Sequence, residues 1–243
     1  MTRVVVVTGG GKGIGKAVVE RLAAAGDQVV AVGRDSEALA STGAAETAVC
    51  DVTSEDEVIA LFARIGRVDV LVNNAGVAAS APLKRTALDD WRAVLDVNAT
   101  GAFLCTRAVL AGMVERGSGR IVTVASTAGR VGIPYAAAYT ASKHAAVGLM
   151  RAVAADVAGT GVTANAVCPT YVRTEMTQAS IARIVAATDR SKEEAEAALI
   201  ALSPLGRLLE PDEVAFAVAF LAAPEAGAIN GQALVLDGGG IQA

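Results

Sequence analysis

Tyr139-Thr-Ala-Ser-Lys143 places a phenol and an ammonium four residues apart, which is one face of any helix that carries them. A free tyrosine, with a pKa of about 10, exchanges protons poorly at neutral pH. A neighbouring ammonium stabilises the phenolate and lowers that pKa, making the pair a candidate proton donor and acceptor for a ligand oxygen. Thirteen residues before Tyr139 stands Ser126, just past the apolar run Arg120–Val124. If that run is a strand of a parallel sheet, its end lies at the carboxyl edge, where ligands bind. Ser126 can then hydrogen-bond the oxygen that Tyr139 protonates. The Tyr-x-x-x-Lys spacing recurs by chance, so its weight depends on what surrounds it.

The second chemical feature is Thr8-Gly-Gly-Gly-Lys-Gly-Ile-Gly15, between a Val-rich run and a helical pattern. Glycines at such a turn let the backbone approach a pyrophosphate, and the helix that follows adds its positive end. The spacing Gly9-x-x-x-Gly13-x-Gly15, with Ile14 inside it, departs from the usual G-x-G-x-x-G. Its position after a buried strand and before a helix is what makes a dinucleotide the expected ligand. An oxidised nicotinamide would add a second positive charge beside Tyr139.

The next apolar run ends Val30-Ala-Val-Gly-Arg-Asp35. An acid at that tip binds the adenosine ribose of NAD, whereas a cation accommodates the 2′-phosphate of NADP. Arg34, with Lys12 as a second cation, points to NADP(H). Asp35, 20 positions beyond Gly15, supports the competing NAD(H) reading. Asp51 is expected to meet the adenine edge, or else to cap Thr53–Ser54.

These residues need a scaffold, and the pattern supplies one. Strands are expected at Arg3–Thr8, Gln28–Val32, Thr47–Cys50, Val68–Val72, Arg120–Val124, Thr163–Val167 and Ala233–Leu236. Their continuous apolar character suits a parallel sheet buried on both faces. Helices are expected at Ile14–Ala25, Ser54–Ile65, Leu88–Glu115, Tyr139–Ala158 and Pro211–Ala222. Strict alternation predicts an α/β, doubly wound (Rossmann) seven-stranded parallel sheet in a single domain. One segment, Tyr171–Pro204, breaks the rhythm and is expected to be a lid over the crevice, a solvated helix pair being the plainer reading.

Composition narrows the function. The 243 residues are 53% hydrophobic but 3% aromatic, the apolar share coming mainly from Ala and Val. A net charge of −4 excludes a phosphate-neutralising nucleic-acid binder. No run of about 18 uncharged apolar residues appears, which argues against a membrane span. The chain enters an apolar strand at Arg3, leaving no room for a signal peptide, so the expected location is cytoplasmic. Cys50, Cys105 and Cys168 are widely spaced and read as buried thiols; no metal site is expected. His144 points about 100° away from Lys143 on a helix and is read as surface or interface, and Trp91 as core or interface filler.

Taken together, Thr8–Gly15, Asn73-Asn-Ala-Gly76, Asn98 in Val97–Gly101, Ser126, Tyr139/Lys143 and Pro169 through Thr174 resemble the short-chain dehydrogenases/reductases over essentially the whole length. The resemblance implies Tyr139 as general acid/base and Lys143 as the group that lowers its pKa and holds the nicotinamide ribose. It also implies Ser126 orienting the carbonyl and Asn98 supporting a water relay to Lys143. Cofactor contacts are implied at Asp51 and Val52, at Asn74, Ala75 and Gly76, and at Pro169, Val172 and Thr174 beside the carboxamide. Thr170 departs from the family's Pro-Gly and is expected to narrow the nicotinamide pocket. Homotetramers are implied, through Leu88–Glu115 with Tyr139–Ala158 and through the C-terminal strand. Arg116–Gly119, Thr160–Pro169 and Ser191–Gly206 are similar to ketoreductases acting on 3-oxoacyl thioesters, with Arg130 and Arg173 as candidate anchors for the acyl carrier's anion. Small NADPH carbonyl reductases are also similar. The alternatives are an NAD-dependent hydroxyacid or hydroxyacyl dehydrogenase and a non-catalytic cofactor sensor, the latter disfavoured by the intact Tyr, Lys, Ser and Asn.

Overall fold

Valine runs with no polar face must be covered on both sides, and the chain does this with one parallel sheet between two helical layers. The computed structural model describes residues 2–242. The strands are β1 (Val4–Thr8), β2 (Gln28–Gly33), β3 (Glu46–Val49), β4 (Val70–Asn73), β5 (Gly119–Val124), β6 (Val162–Pro169) and β7 (Ala233–Leu236). They pair in the order β3-β2-β1-β4-β5-β6-β7, all parallel. The order reverses between β1 and β4, which opens a crevice at the carboxyl ends of those strands.

The helices are α1 (Gly13–Ala24), α2 (Ser36–Ala40), α3 (Glu55–Ile65), α4 (Leu88–Leu95), α5 (Gly101–Glu115), α6 (Ala137–Asp156), α7 (Glu175–Ala187), α8 (Lys192–Ile200) and α9 (Pro211–Ala222). One face of the sheet packs on α3, α5 and α6 through Phe62, Leu104, Met113 and Met150. The other packs on α1 and α9 through Val18, Leu22, Val214 and Leu221. All three cysteines are free and buried. Burial pushes the Cys50 thiol up to about 11 and that of Cys105 to about 12.

Two elements differ from the sequence expectation. The short helix α2 was not expected; Asp35 caps it by accepting from Ala38 N at 3.0 Å. The stretch Leu88–Glu115 is one continuous helix, but a π-helical turn at Asp96–Thr100 shifts its register midway. By length and composition that 28-residue helix, with a mean hydropathy of 1.4 in its most apolar window, passes a test for crossing a membrane. Requiring an uncharged run missed it. Its apolar stripe (Leu104, Cys105, Val109, Met113) is instead packed into the sheet core. Tyr171–Pro204 takes the form of the plainer reading, a helix pair: α7 and α8 form a small core of their own from Ile181, Ala195 and Leu199 against Tyr171.

Candidate active site

The glycine turn after β1 is a backbone cradle. Gly9 and Gly13 take φ of 63° and 51°, the left-handed region that favours glycine. A Cβ at Gly15 would lie 2.0 Å from the Gly9 carbonyl oxygen, so only hydrogen fits there. Asn74 Nδ2 donates to the carbonyls of Thr8 and Gly9, both at 3.0 Å. Thr8 Oγ1 accepts from the backbone amides of Asn74 at 3.0 Å and Ala75 at 3.1 Å. The exits of β1 and β4 are thereby stitched together. Lys12 is the N-cap of α1, without a side-chain cap bond and with no acid in the first turn, so the helix amides are left for an anion. Ile14 opens α1 and packs partly into the α1/α9 core.

At the tip of β2 both expected cations are present, each with an acidic neighbour. Lys12 Nζ lies 3.0 Å from Asp35 and 3.9 Å from Glu175, and its pKa is raised chiefly by the Asp35 hydrogen bond. Arg34 lies 3.8 Å from Asp51. Asp35 is engaged as the cap of α2 and by Lys12, and the Ala38 amide and that lysine hold its carboxyl below the usual range. The carboxyl of the competing reading is thus shared with a helix cap and a lysine. Asp51 accepts from Thr53 N at 2.9 Å and Thr53 Oγ1 at 2.8 Å, so the turn-capping role is realised, with the Arg34 contact beside it. The Val52 side chain is buried, and a Cβ on Gly101 would meet it at 2.7 Å; only its backbone remains to offer a ligand.

Tyr139, Lys143 and Ser126 converge beyond the ends of β5 and β6. Ser126 caps the single turn Thr127–Gly129, its Oγ accepting from Ala128 N at 3.1 Å. That leaves its O–H to donate, and it does so to Tyr139, pulling the phenol's pKa down. Desolvation is nevertheless the larger influence on Tyr139 and raises its pKa. Lys143 is not among the groups that shift it in the unliganded chain. The reason is that the Lys143 ammonium is itself buried and donates to the Val124 carbonyl at 2.9 Å, lying 5.7 Å from the centre of the Tyr139 ring. Burial pushes Lys143 down to about 8.

Asn98, on the π-helical turn, has its side chain fully engaged. Its Oδ1 accepts from Val77 N at 2.8 Å, and its Nδ2 donates to Val77 O and Ser142 Oγ, both at 2.9 Å. A Cβ on Gly76 would stand 3.2 Å from Asn98 Oδ1 and 3.6 Å from Lys143 Nζ, so Gly76 is where the cofactor cleft and the proton-transfer cluster meet.

Pro169 ends β6. The Val172 side chain packs into the core, which leaves its backbone as the ligand-facing part. Thr174 caps α7 and places its methyl 3.1 Å from where a Gly13 Cβ would be, over the glycine turn. Thr170 has no left-handed backbone, and its amide donates to Leu236 O at 3.0 Å, so glycine is not required there. Arg173 is held by Glu210 at 2.9 Å and Glu196 at 3.4 Å and is not free to anchor a substrate. Arg130 lies near enough to Cys168 to favour its thiolate. His144 is exposed, its Nδ1 near Thr140 O at 2.9 Å.

Two residues at the crevice rim escaped the sequence reading. Tyr135 is exposed with φ of 62°, and its carbonyl accepts from Ala81 N at 2.8 Å. Gly132 and Pro134 mark a turn there, but not which residue takes positive φ. Arg183 Nη1, on α7, donates to Ala78 O at 3.1 Å across the crevice; nothing local in the sequence distinguishes it from other lid cations.

A doubly wound sheet with a glycine cradle at its switch point, and a half-buried Tyr and Ser beside a buried Lys, defines a dinucleotide-dependent enzyme of the Rossmann class. The family model for short chain dehydrogenases matches residues 3–185, and the chain belongs to that family of oxidoreductases acting on CH–OH groups. It is 41% identical to a putative ketoacyl reductase of Streptomyces coelicolor, the alignment covering 98% of this chain and 97% of that one. A 3-oxoacyl-(acyl-carrier-protein) reductase of Synechocystis sp. is 39% identical over 98% of this chain and 96% of its own. Among solved structures, an actinorhodin polyketide ketoreductase variant with NADPH superposes with a TM-score of 0.92 at 40% identity, covering 98% of this chain and 97% of that one.

Proposed function

We propose that the chain is an NADP(H)-dependent reductase interconverting a ketone and a secondary alcohol, with a 3-oxoacyl thioester as its substrate. The observation that carries the reaction is the convergence of Tyr139 and Ser126 with buried Lys143 at the mouth of the glycine cradle. The residues fit the cofactor: the cradle leaves no room for side chains, α1 has an uncapped N-terminus, and Arg34 and Lys12 supply positive charge at the 2′-phosphate end. The 3-oxoacyl reading is supported by the two ketoacyl and 3-oxoacyl reductases this chain is similar to.

When bound, the nicotinamide supplies or takes up the hydride. Ser126, its lone pair held by Ala128 N–H, presents its O–H to the substrate oxygen together with Tyr139. Tyr139 gives its proton to that oxygen as negative charge develops there. In the reverse, oxidative direction the same Tyr139 takes the proton back from the alcohol. Lys143 holds positive charge beside the phenolate that remains, and Asn98 positions Val77 and Ser142 around it. The segment 171–204 acts as the lid. The enzyme works in the cytoplasm as a homotetramer, a reading supported by the exposed Phe103 on α5 and by Phe216 and Phe220 on α9.

The test is NADPH oxidation with a panel of 3-oxoacyl thioesters, diketones and cyclic ketones. Tyr139→Phe should lower kcat by about 10³-fold or more while NADPH still binds. Turnover retained in that variant removes the mechanism.

A further inference from the structure

The chain leaving Gly76 is pinned from three sides. Asn98 holds Val77, Arg183 Nη1 donates to Ala78 O at 3.1 Å, and Ala81 N donates to Tyr135 O at 2.8 Å. Arg183 is the only one of these ties that comes from the segment 171–204. It differs from its neighbour on the same segment: Arg173 is ion-paired with two glutamates, whereas no carboxylate among the described residues lies within 4.0 Å of Arg183. Its Nη2 donates to Ser180 Oγ at 3.1 Å, and its Nε is buried without an acceptor among the described residues. A buried N–H is rarely left unpaired, because the lost hydrogen bond to water is not recovered.

The place is as informative as the missing partner. Ala78 adjoins Val77, Val77 is bonded to Asn98, and Asn98 is bonded to Ser142 beside Lys143. A guanidinium with spare donors thus reaches over the crevice a few contacts from the reacting oxygen. The neutral Ala78 carbonyl uses one donor of a planar fork that suits two acceptors.

We propose that Arg183 is a specificity-determining residue that binds a second oxygen of the substrate, the thioester carbonyl two carbons from the reacting ketone. This rests on the 3-oxoacyl reading above. A substrate carrying both oxygens satisfies Tyr139 and Ser126 at one end and the lid's guanidinium at the other. A ketone without the second oxygen leaves Arg183 on Ala78.

Purified enzyme with NADPH, a short 3-oxoacyl-CoA and a cyclic monoketone tests this, in wild type, Arg183→Met and Arg183→Lys. In Arg183→Met, KM for the thioester should rise about ten-fold or more with kcat changed by less than about three-fold. The specificity ratio of thioester over monoketone should fall by the same factor. Arg183→Lys, which keeps the charge without the fork, should recover part of it and carries the comparison if Arg183→Met does not fold. KM rising equally for both ketones, or a ratio that does not move, overturns the proposal while leaving the reductase assignment intact. Wild type that reduces the monoketone but not the thioester overturns the proposal and the 3-oxoacyl reading on which it rests. If only the thioester is turned over, the split between KM and kcat on it decides.

Discussion

The turn after β1 and the segment after β6 border the same crevice and are built from different materials. The first is main chain, Gly9 and Gly13 in the left-handed region and Gly15 pressed against the Gly9 carbonyl, braced by the Asn74 side-chain amide on two carbonyls. The second is side chain: Ile181, Ala195 and Leu199 packed on Tyr171, Arg173 between two glutamates, and Arg183 reaching to Ala78. A pyrophosphate is the same in every dinucleotide and is met by amides that have no alternative identity. A variable substrate is met by side chains, each exchangeable without breaking the sheet. The cradle is therefore expected to be intolerant of change and the lid to be adjustable.

Gly15→Ala should break the contrast most severely. Its Cβ would sit 2.0 Å from the Gly9 oxygen, so the turn must move. The overpacking costs about 1–3 kcal/mol, and NADPH affinity should fall by roughly 100-fold; a melting curve and a binding titration read both. Normal NADPH binding in this variant means the cradle is not the backbone site described.

Arg34→Ala probes the one place where the cofactor half relies on side chains. NADPH affinity should fall about ten-fold while NADH affinity holds, since the Arg34–Asp51 pair is exposed and screened. An equal loss for both cofactors places Arg34 in turn structure rather than in phosphate recognition.

Lys143, at the junction of the two regions, should shift stability in the opposite sense. Its folded pKa of about 8 lies below its ordinary 10.5. The unfolded chain therefore binds more protons between those values, and the lysine's contribution to stability rises with pH across that window. At pH 7 the buried charge is a burden, so Lys143→Met should lose turnover yet melt about 4 °C higher than wild type. The gap should narrow above about pH 8. A gap that widens there means Lys143 is not buried as a strained charge.

Much of the fold was legible because its signals are local. All seven strands were expected close to where they lie, with ends shifted by one or two residues, as at Glu46–Val49 and Val70–Asn73. Parallel burial writes continuous valine runs that no other arrangement requires. Asp35 shows the limit: an acid at a strand tip reads equally as a ribose acceptor and as a helix cap. Only the position of Ala38 N decides between them. The π-helical turn at Asp96–Thr100 left no trace in apolar spacing, because it is held by the packing of Asn98 against Val77 and Ser142.

The amino-acid sequence by itself determined the sheet, the glycine cradle and the identities of Tyr139, Lys143 and Ser126, since each follows from short-range spacing and steric demand. The tertiary structure alone decided the charges and partners. Desolvation at the foot of α6 raises Tyr139 and lowers Lys143, Asp35 turns to α2 and Lys12, and Arg183 crosses to Ala78. Such outcomes depend on which distant groups share a low-dielectric space, and sequence distance carries no record of that.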